Sequence, residues 1–151
     1  MDLGYNKYKL LIIATLSLWH IGCKNEKSTE SKDNSNVSMI NESKEFENFY
    51  QKFSTDSVFQ LEHIVFPLEG IRSPKDSLDK PDPNFRWTRD NWVIHHSFDD
   101  ANGTFSREFV EMPGLVSEII SDQSGQFSME RRFGKLSSGW HLIYYREMGK
   151  Y

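Results

Sequence analysis

The sequence predicts an α+β domain in which one or two helices are followed by an antiparallel meander. Two patterns indicate this: aromatic residues at helical spacing early in the domain, and later a succession of short apolar segments separated by glycine-containing turns. The first helix is predicted from four aromatic side chains at positions i, i+3, i+4 and i+7, namely Phe46, Phe49, Tyr50 and Phe53. These side chains share one face of a helix for which Ser43 or Asn41 can serve as N-cap.

The next segment is predicted to change from helix to strand. Residues 58–68 follow a second possible N-cap around Asp56, so they are expected to begin as a helical turn and to finish as a strand closed by Pro67 and Gly70. Residues 72–86 contain several prolines and no hydrophobic periodicity, which is typical of a loop.

The second half of the chain is predicted to be a series of strands. Asn102-Gly103 is a favoured hairpin corner, because both positions tolerate positive φ, so residues 92–98 and 104–112 are expected to pair around it. Three more strands are expected at residues 115–121, 127–133 and 140–147.

The first 22 residues are predicted to be a bacterial lipoprotein signal peptide. Lys7 and Lys9 precede an apolar run at residues 10–21, and the small residue Gly22 stands directly before Cys23. The apolar run is too short for a bilayer span, which needs roughly 20 residues as a helix. The expected organisation is a signal peptide at residues 1–22, a flexible polar tether at 23–43 and a single globular α+β domain at 44–151.

Cys23 is the single cysteine of the chain and the expected site of lipid attachment. Several acyl chains on it would hold the protein on a membrane, and no thiol would be left for a disulfide. Lys24 follows the cysteine, and this resembles the signal for outer-membrane sorting, so we expect a lipid-anchored envelope protein facing the periplasm, with surface exposure left open. Without residues 1–22 the formal charge changes from −4 to about −5, and the absence of a basic stripe argues against nucleic acid as a partner.

Three segments of the domain resemble a family of uncharacterised bacterial lipoproteins known only as a domain of unknown function. They are Phe46-x-x-Phe49-x-x-x-Phe53, Asp56-Ser57-x-Phe59-Gln60 and His63-Ile64-Val65-Phe66-Pro67-Leu68, and the tail from Phe133 to Leu142 is similar to the last hairpin of the same group. The resemblance implies a nuclear-transport-factor-2-like fold, in which N-terminal helices pack on a curved antiparallel sheet that wraps a conical cavity. Three helices are usual there, so the second and third are expected within residues 57–64 and 76–91. The family brings no established activity.

The histidines offer one candidate for chemistry. His95 and His96 are adjacent, and adjacent side chains on a strand point to opposite faces, so the two cannot ligate one metal together. His96 would share the apolar face of the predicted strand with Trp92, and it is expected to be either a hydrogen-bonded core histidine or an acid or base in a pocket. No zinc or calcium pattern is present, so neither a metal nor another cofactor is expected.

Three arginines alternate with apolar residues on their predicted strands: Arg107, Arg131 and Arg146. Each is expected either to pair with a carboxylate such as Glu118 or Glu111, or to present its guanidinium to an anionic ligand. Structural ion pairs and side chains that reach out from strand ends remain the simpler alternative. The residues predicted to line a ligand pocket are Trp92, His96, Arg131 and Tyr144.

The function predicted from these patterns is that of a membrane-anchored binding module for a small amphipathic ligand or for an envelope protein. An enzyme of isomerase or hydrolase type is the alternative, although no nucleophile motif is present and no Asp falls inside an apolar strand. A structural or assembly subunit is the third possibility. It would have a filled cavity and a large exposed apolar patch.

Overall fold

The computed structural model describes residues 30–76, 78–80 and 82–151. The predicted signal peptide, Cys23 and the first part of the predicted tether lie outside these residues. The elements, in chain order, are α1 (Glu30–Thr55), α2 (Ser57–Glu62), β1 (Ile64–Ile71), β2 (Arg86–Trp87), β3 (Phe105–Met112), β4 (Leu115–Asp122), β5 (Phe127–Leu136) and β6 (Gly139–Lys150).

The six strands form one curved, unclosed sheet in the order β2-β1-β6-β5-β4-β3. The predicted α+β class is confirmed, because α1 packs on one face of this sheet. The sheet is mixed rather than wholly antiparallel: β1 runs parallel to β6, and all other pairs are antiparallel. The reason is that the helices deliver β1 to the sheet in the same direction as β6, so the first and last strands meet side by side.

Helix α1 carries the predicted aromatic stripe into the core. Phe46, Phe49 and Phe53 are buried, and their rings contact Phe133 of β5 at centroid distances of 5.3–5.8 Å. Burying each ring contributes roughly 1.5–3 kcal/mol, which makes this stripe the main attachment of the helix.

The start of α1 corrects the expectation of a flexible tether up to residue 43. The helix begins at Glu30, because once a packed segment nucleates a helix each further residue adds a hydrogen bond at little cost. Val37 and Ile40 are more than half exposed, so this first part of the helix carries few buried contacts. No helix among the described residues is both long and apolar enough to cross a membrane.

Helix α2 confirms the predicted second cap. Asp56 Oδ1 accepts hydrogen bonds from the backbone nitrogens of Val58 and Phe59 at 2.9 and 3.0 Å. The expected third helix is absent, since the described part of residues 76–91 contains only strand β2.

Strand β1 continues through Pro67 and Gly70, which were expected to close it. Gly70 lies against β6 so closely that an added Cβ would stand 1.9 Å from the backbone oxygen of Tyr145 and 2.9 Å from Trp87 Nε1. The indole nitrogen of Trp87 donates to the same oxygen at 3.2 Å. Glycine is therefore required here by close approach of two strands and a tryptophan.

The predicted strand at residues 92–98 is wrong. This segment has no ladder partner and crosses the concave face of the sheet as irregular chain. The predicted turn does exist, with Gly103 at φ 66°, but it leads from this irregular segment into β3, which pairs with β4 alone. Side-chain hydrogen bonds take the place of the ladder, as described below.

Candidate functional site

The strand register aligns inward-facing side chains in rows across the concave face. Val116 of β4 stands beside Phe133 of β5, and Ile120 beside Met129, so both of these rows are apolar. The row between them pairs Glu118 with Arg131. The two charged side chains are 0% and 1% exposed, which makes them the central polar feature of the domain.

Arg131 and Glu118 form a buried ion pair. Nε of Arg131 lies 2.7 Å from Oε2 of Glu118, although the N–H bond is not aligned with that oxygen. A buried charge without a partner costs several kcal/mol, so the two groups compensate each other. Of the alternatives that the sequence left open for Arg131, the structure shows pairing with a carboxylate, and that carboxylate is Glu118.

Tyr50 of α1 joins this pair from the helix side. Its hydroxyl donates to Oε1 of Glu118 at 2.5 Å and accepts from Nη2 of Arg131 at 3.2 Å. Burial raises the pKa of Tyr50, so the hydroxyl keeps its proton and remains a donor. The helix is thereby joined to the centre of the sheet by a polar contact as well as by its aromatic stripe.

His95 completes the network on the opposite side. Its Nδ1 lies 3.4 Å from Nη1 of Arg131, and its ring packs against Trp92 and Tyr145 at centroid distances of 4.5 Å each. Burial, followed by the charge of Arg131 and then that of His96, lowers the pKa of His95 to about 3. The imidazole is neutral, and because Nδ1 faces a donor, the ring proton is assigned to Nε2.

Gln60 of α2 holds the irregular segment on the sheet. Its side chain is fully buried, and Nε2 donates to the backbone oxygens of Phe53 and His95 at 2.7 Å each. Its Oε1 accepts from the backbone nitrogen of His95 at 2.8 Å and from Trp92 Nε1 at 3.1 Å. One amide thus satisfies four polar groups, and three of them belong to Trp92 and His95, so these two residues are fastened without a strand partner.

An open pocket of about 290 Å³ lies beside this network. It is lined by Ile94, His95, His96, Phe98, Ile120, Met129, Arg131, Tyr145 and Met148. Its walls are mainly apolar, and its polar groups come from the irregular segment and from β5 and β6. Burial raises the pKa of Tyr145 well above its usual value, so the hydroxyl stays protonated.

Of the four residues predicted to line a pocket, Arg131 and His96 line it, and Trp92 lies directly behind it. Trp92 is buried beneath His95 with its ring nitrogen bonded to Gln60. His96 is at the rim but is exposed, so its expected place on the apolar face is wrong. His95, which is half-buried, faces the pocket instead, because the segment is not a strand and does not alternate.

Tyr144 lies on the other face of the sheet, contrary to the prediction. Strand β6 contains an extra residue between its pairs Leu142–Phe133 and Tyr144–Arg132, and this β-bulge inverts the alternation that follows. Tyr145 consequently pairs with Arg131 and faces the pocket, whereas Tyr144 lies under Arg132 with 4.4 Å between guanidinium and ring.

The other two arginines differ in environment. Arg146 lies 3.7 Å from Glu130, so it forms an ion pair beyond the bulge. Arg107 is exposed on β3 and packs over aromatic rings. Among the described residues, no three His, Cys, Asp or Glu side chains cluster as metal ligands would.

Sequence reasoning missed several residues of this site: Tyr50 and Gln60 as polar partners, His95 and Tyr145 as pocket residues. The sequence does indicate that Glu118 faces the core, because it alternates with Val116 and Ile120 and therefore lies on an apolar face of its strand. Gln60 gave no such signal, since its partners lie up to 35 residues away along the chain.

Comparisons with known proteins add a structural similarity. No protein-family model matches the chain, and no curated protein is significantly similar to it. The chain is similar to a crystal structure of a nuclear-transport-factor-2-like protein from Bacteroides fragilis NCTC 9343, with a TM-score of 0.43 and 19% sequence identity. The similarity covers 65% of this chain and 44% of that structure's chain. The α+β architecture itself rests on the sheet topology described above.

Proposed function

We propose that this protein is a membrane-anchored lipoprotein of the cell envelope whose folded domain binds a small amphipathic molecule. The anchoring part of the proposal rests on the signal-like residues before Cys23. The binding part rests on the open pocket of the concave face. The resemblance to uncharacterised lipoproteins with a nuclear-transport-factor-2-like fold belongs to the same proposal.

The observation that carries the binding proposal is the composition of the pocket. Its volume of about 290 Å³ is close to the lower end of the roughly 300–1,000 Å³ found for small-molecule sites. Apolar side chains supply most of the wall, and the protonated hydroxyl of Tyr145 can donate to a ligand. A few polar groups in an apolar concavity is the usual composition of a ligand site.

The charges around the pocket favour binding over catalysis. A general base works best with a pKa near the working pH, and His95, with a pKa of about 3, is a weak base at neutral pH. Glu118 already holds Arg131 and the Tyr50 hydroxyl. The enzyme alternative stays open on one observation, which is that a histidine with a strongly shifted pKa borders the pocket.

Paired tryptophan substitutions test the pocket. Ile94 lines it, whereas the neighbouring Val93 is 71% exposed and does not. We expect fatty acids, bile acids or glycans, screened by thermal shift, to include a compound that stabilises the wild-type domain, since a ligand present at a hundred times its Kd adds about 2.7 kcal/mol. Ile94→Trp should abolish that shift and Val93→Trp should preserve it. The pocket proposal fails if no compound stabilises the domain, or if both variants respond as the wild type does.

Anchoring is tested separately in a Gram-negative expression host. The full chain should incorporate a labelled fatty acid and sediment with outer membranes, and Cys23→Ser should lose both properties. An unlabelled wild-type protein in the aqueous fraction would refute the anchor without affecting the pocket.

A protein occupant instead of a small molecule is the alternative. It predicts that envelope proteins co-purify with the wild-type domain and that this association, rather than a ligand-induced shift, is lost in Ile94→Trp. The same experiment detects a structural or assembly subunit, for which association would persist in the Ile94→Trp variant.

A further inference from the structure

Arg107 stands at the edge of the concave face on an aromatic support. It lies on β3 opposite Ile120 of β4, so it belongs to the row of side chains that leads into the pocket. Its guanidinium carbon is 5.2 Å from the ring centre of Phe109, 5.7 Å from that of Phe98 and 5.9 Å from that of Tyr50. Cation–π contacts of this kind favour this position of the guanidinium and leave its N–H donors free.

Arg107 lacks the partners that the other arginines have. In the described part of the chain it makes neither an ion pair nor a hydrogen bond, whereas each other arginine has a carboxylate or a backbone oxygen: Arg72 with Asp79, Arg86 with Glu69, Arg89 with the Leu61 oxygen, Arg131 with Glu118, and Arg132 and Arg146 with Glu130. Arg107 therefore offers an unneutralised cation on a domain whose chain is acidic overall.

Arg107 contacts residues that line two different hollows. Phe98 lines the 290 Å³ pocket, and Tyr50 and Phe109 line a second hollow of about 230 Å³ along α1. The guanidinium thus lies at the rim between them. A ligand bound at this rim would have its polar head in contact with solvent, and its apolar part could contact the apolar wall of the pocket.

The interior of the pocket argues against an anion bound deeply. Arg131 is already neutralised by Glu118, so an anion beside it would face a buried carboxylate, and His95 is uncharged. Burying a second, unpaired charge is costly, whereas a charged head at the rim stays in contact with water.

We propose that Arg107 binds the carboxylate head of a single-chain anionic amphiphile whose apolar body lies in the 290 Å³ pocket. This inference rests on the proposed binding function and specifies the class of ligand. It assigns to Arg107 a role in ligand charge selection, which the sequence analysis left open between an ion pair and an anion site.

The experiment compares octanoate with 1-octanol, which share a chain length and differ in charge. Affinities for the full chain are measured by calorimetry and by tryptophan fluorescence. Arg107→Gln should weaken octanoate binding about tenfold, as expected for loss of a charge-assisted hydrogen bond, and should leave 1-octanol unaffected. Octanoate binding should also weaken with added salt.

Arg89→Gln is the matched control. Arg89 is also exposed and also packs over an aromatic ring, at 5.4 Å from Phe66, but Phe66 does not line the pocket, whereas the Phe98 that Arg107 contacts does. The same substitution there removes the same charge, so it separates a local contact from a change in net charge. Circular dichroism should show the same melting profile for both variants.

The two failures are distinguishable. If neither octanoate nor 1-octanol binds, and no compound of the larger panel does, the proposed binding function is wrong and the inference falls with it. If both bind the wild type equally, or if Arg107→Gln and Arg89→Gln change octanoate affinity by the same factor, ligand binding stands and the role of Arg107 is refuted.

Discussion

Replacing Arg131 with methionine tests the buried ion pair that joins the two halves of the concave face. Glu118 is fully buried, and in this variant its one remaining polar partner among the described residues would be the Tyr50 hydroxyl. Removing one member of a buried pair costs about 3–5 kcal/mol. For a folded body of about 110 residues this corresponds to a fall in Tm of roughly 10–25 °C.

Arg132→Met on the same strand is the control. Arg132 pairs with Glu130 at 2.6 Å on the opposite face, where its side chain is 44% exposed, and solvent screening limits such a pair to at most about 1 kcal/mol. Urea unfolding of both variants, monitored by far-ultraviolet circular dichroism, gives the free energies of unfolding.

A double variant separates the interaction from the packing. Glu118→Leu combined with Arg131→Met removes both charges, so it should recover a large part of the stability that the single change loses. The reasoning is refuted if Arg131→Met costs less than Arg132→Met, or if the double variant loses the sum of its two single changes.

Three more predictions concern single positions. Gln60→Leu leaves buried polar groups of Trp92 and His95 unpaired and should cost about 2–4 kcal/mol, with faster amide exchange confined at first to residues 92–98; uniform exchange across the sheet would contradict the clamp. Gly70→Ala should fail to fold or should unfold at much lower urea than Gly134→Ala, because its Cβ would overlap the Tyr145 oxygen, and a wild-type midpoint would disprove the close approach. Since the pKa of His95 is about 3 when folded and near 6.5 when unfolded, the unfolded chain binds the extra proton between these values, so stability should fall by up to about 1.4 kcal/mol per pH unit as pH drops from 6.5 to 3. His95→Gln should flatten that slope, and equal slopes in the two proteins would contradict a buried neutral imidazole.

The parts of the fold that sequence could predict are those set by local periodicity. The aromatic stripe of α1 and strands β3 to β6 follow directly from spacing and from turn glycines. The alternation of β5 also placed Arg131 correctly between Met129 and Phe133, all three of which are buried.

The errors in the prediction arise where residues that are distant in sequence determine the backbone conformation. Residues 92–98 have a strand-like composition, but the Gln60 amide bonds both backbone polar groups of His95, and the segment is irregular. The histidine that faces the pocket interior is therefore His95 and not His96. The parallel contact of β1 with β6 joins the first and last strands of the domain, and no short window contains that information.

The additional residue of β6 at Ile143 divides residues 139–146 of that strand into two segments of opposite phase. Before the bulge, even-numbered residues such as Leu142 face the concave side of the sheet. After it, odd-numbered residues such as Tyr145 do. If β6 paired with β5 without this bulge, Ile143 would stand beside Arg132 and Tyr144 beside Arg131, so Tyr144 would face inward and Tyr145 would face outward. Which tyrosine of β6 faces the pocket on the concave face thus depends on one additional residue as much as on which amino acids the strand contains.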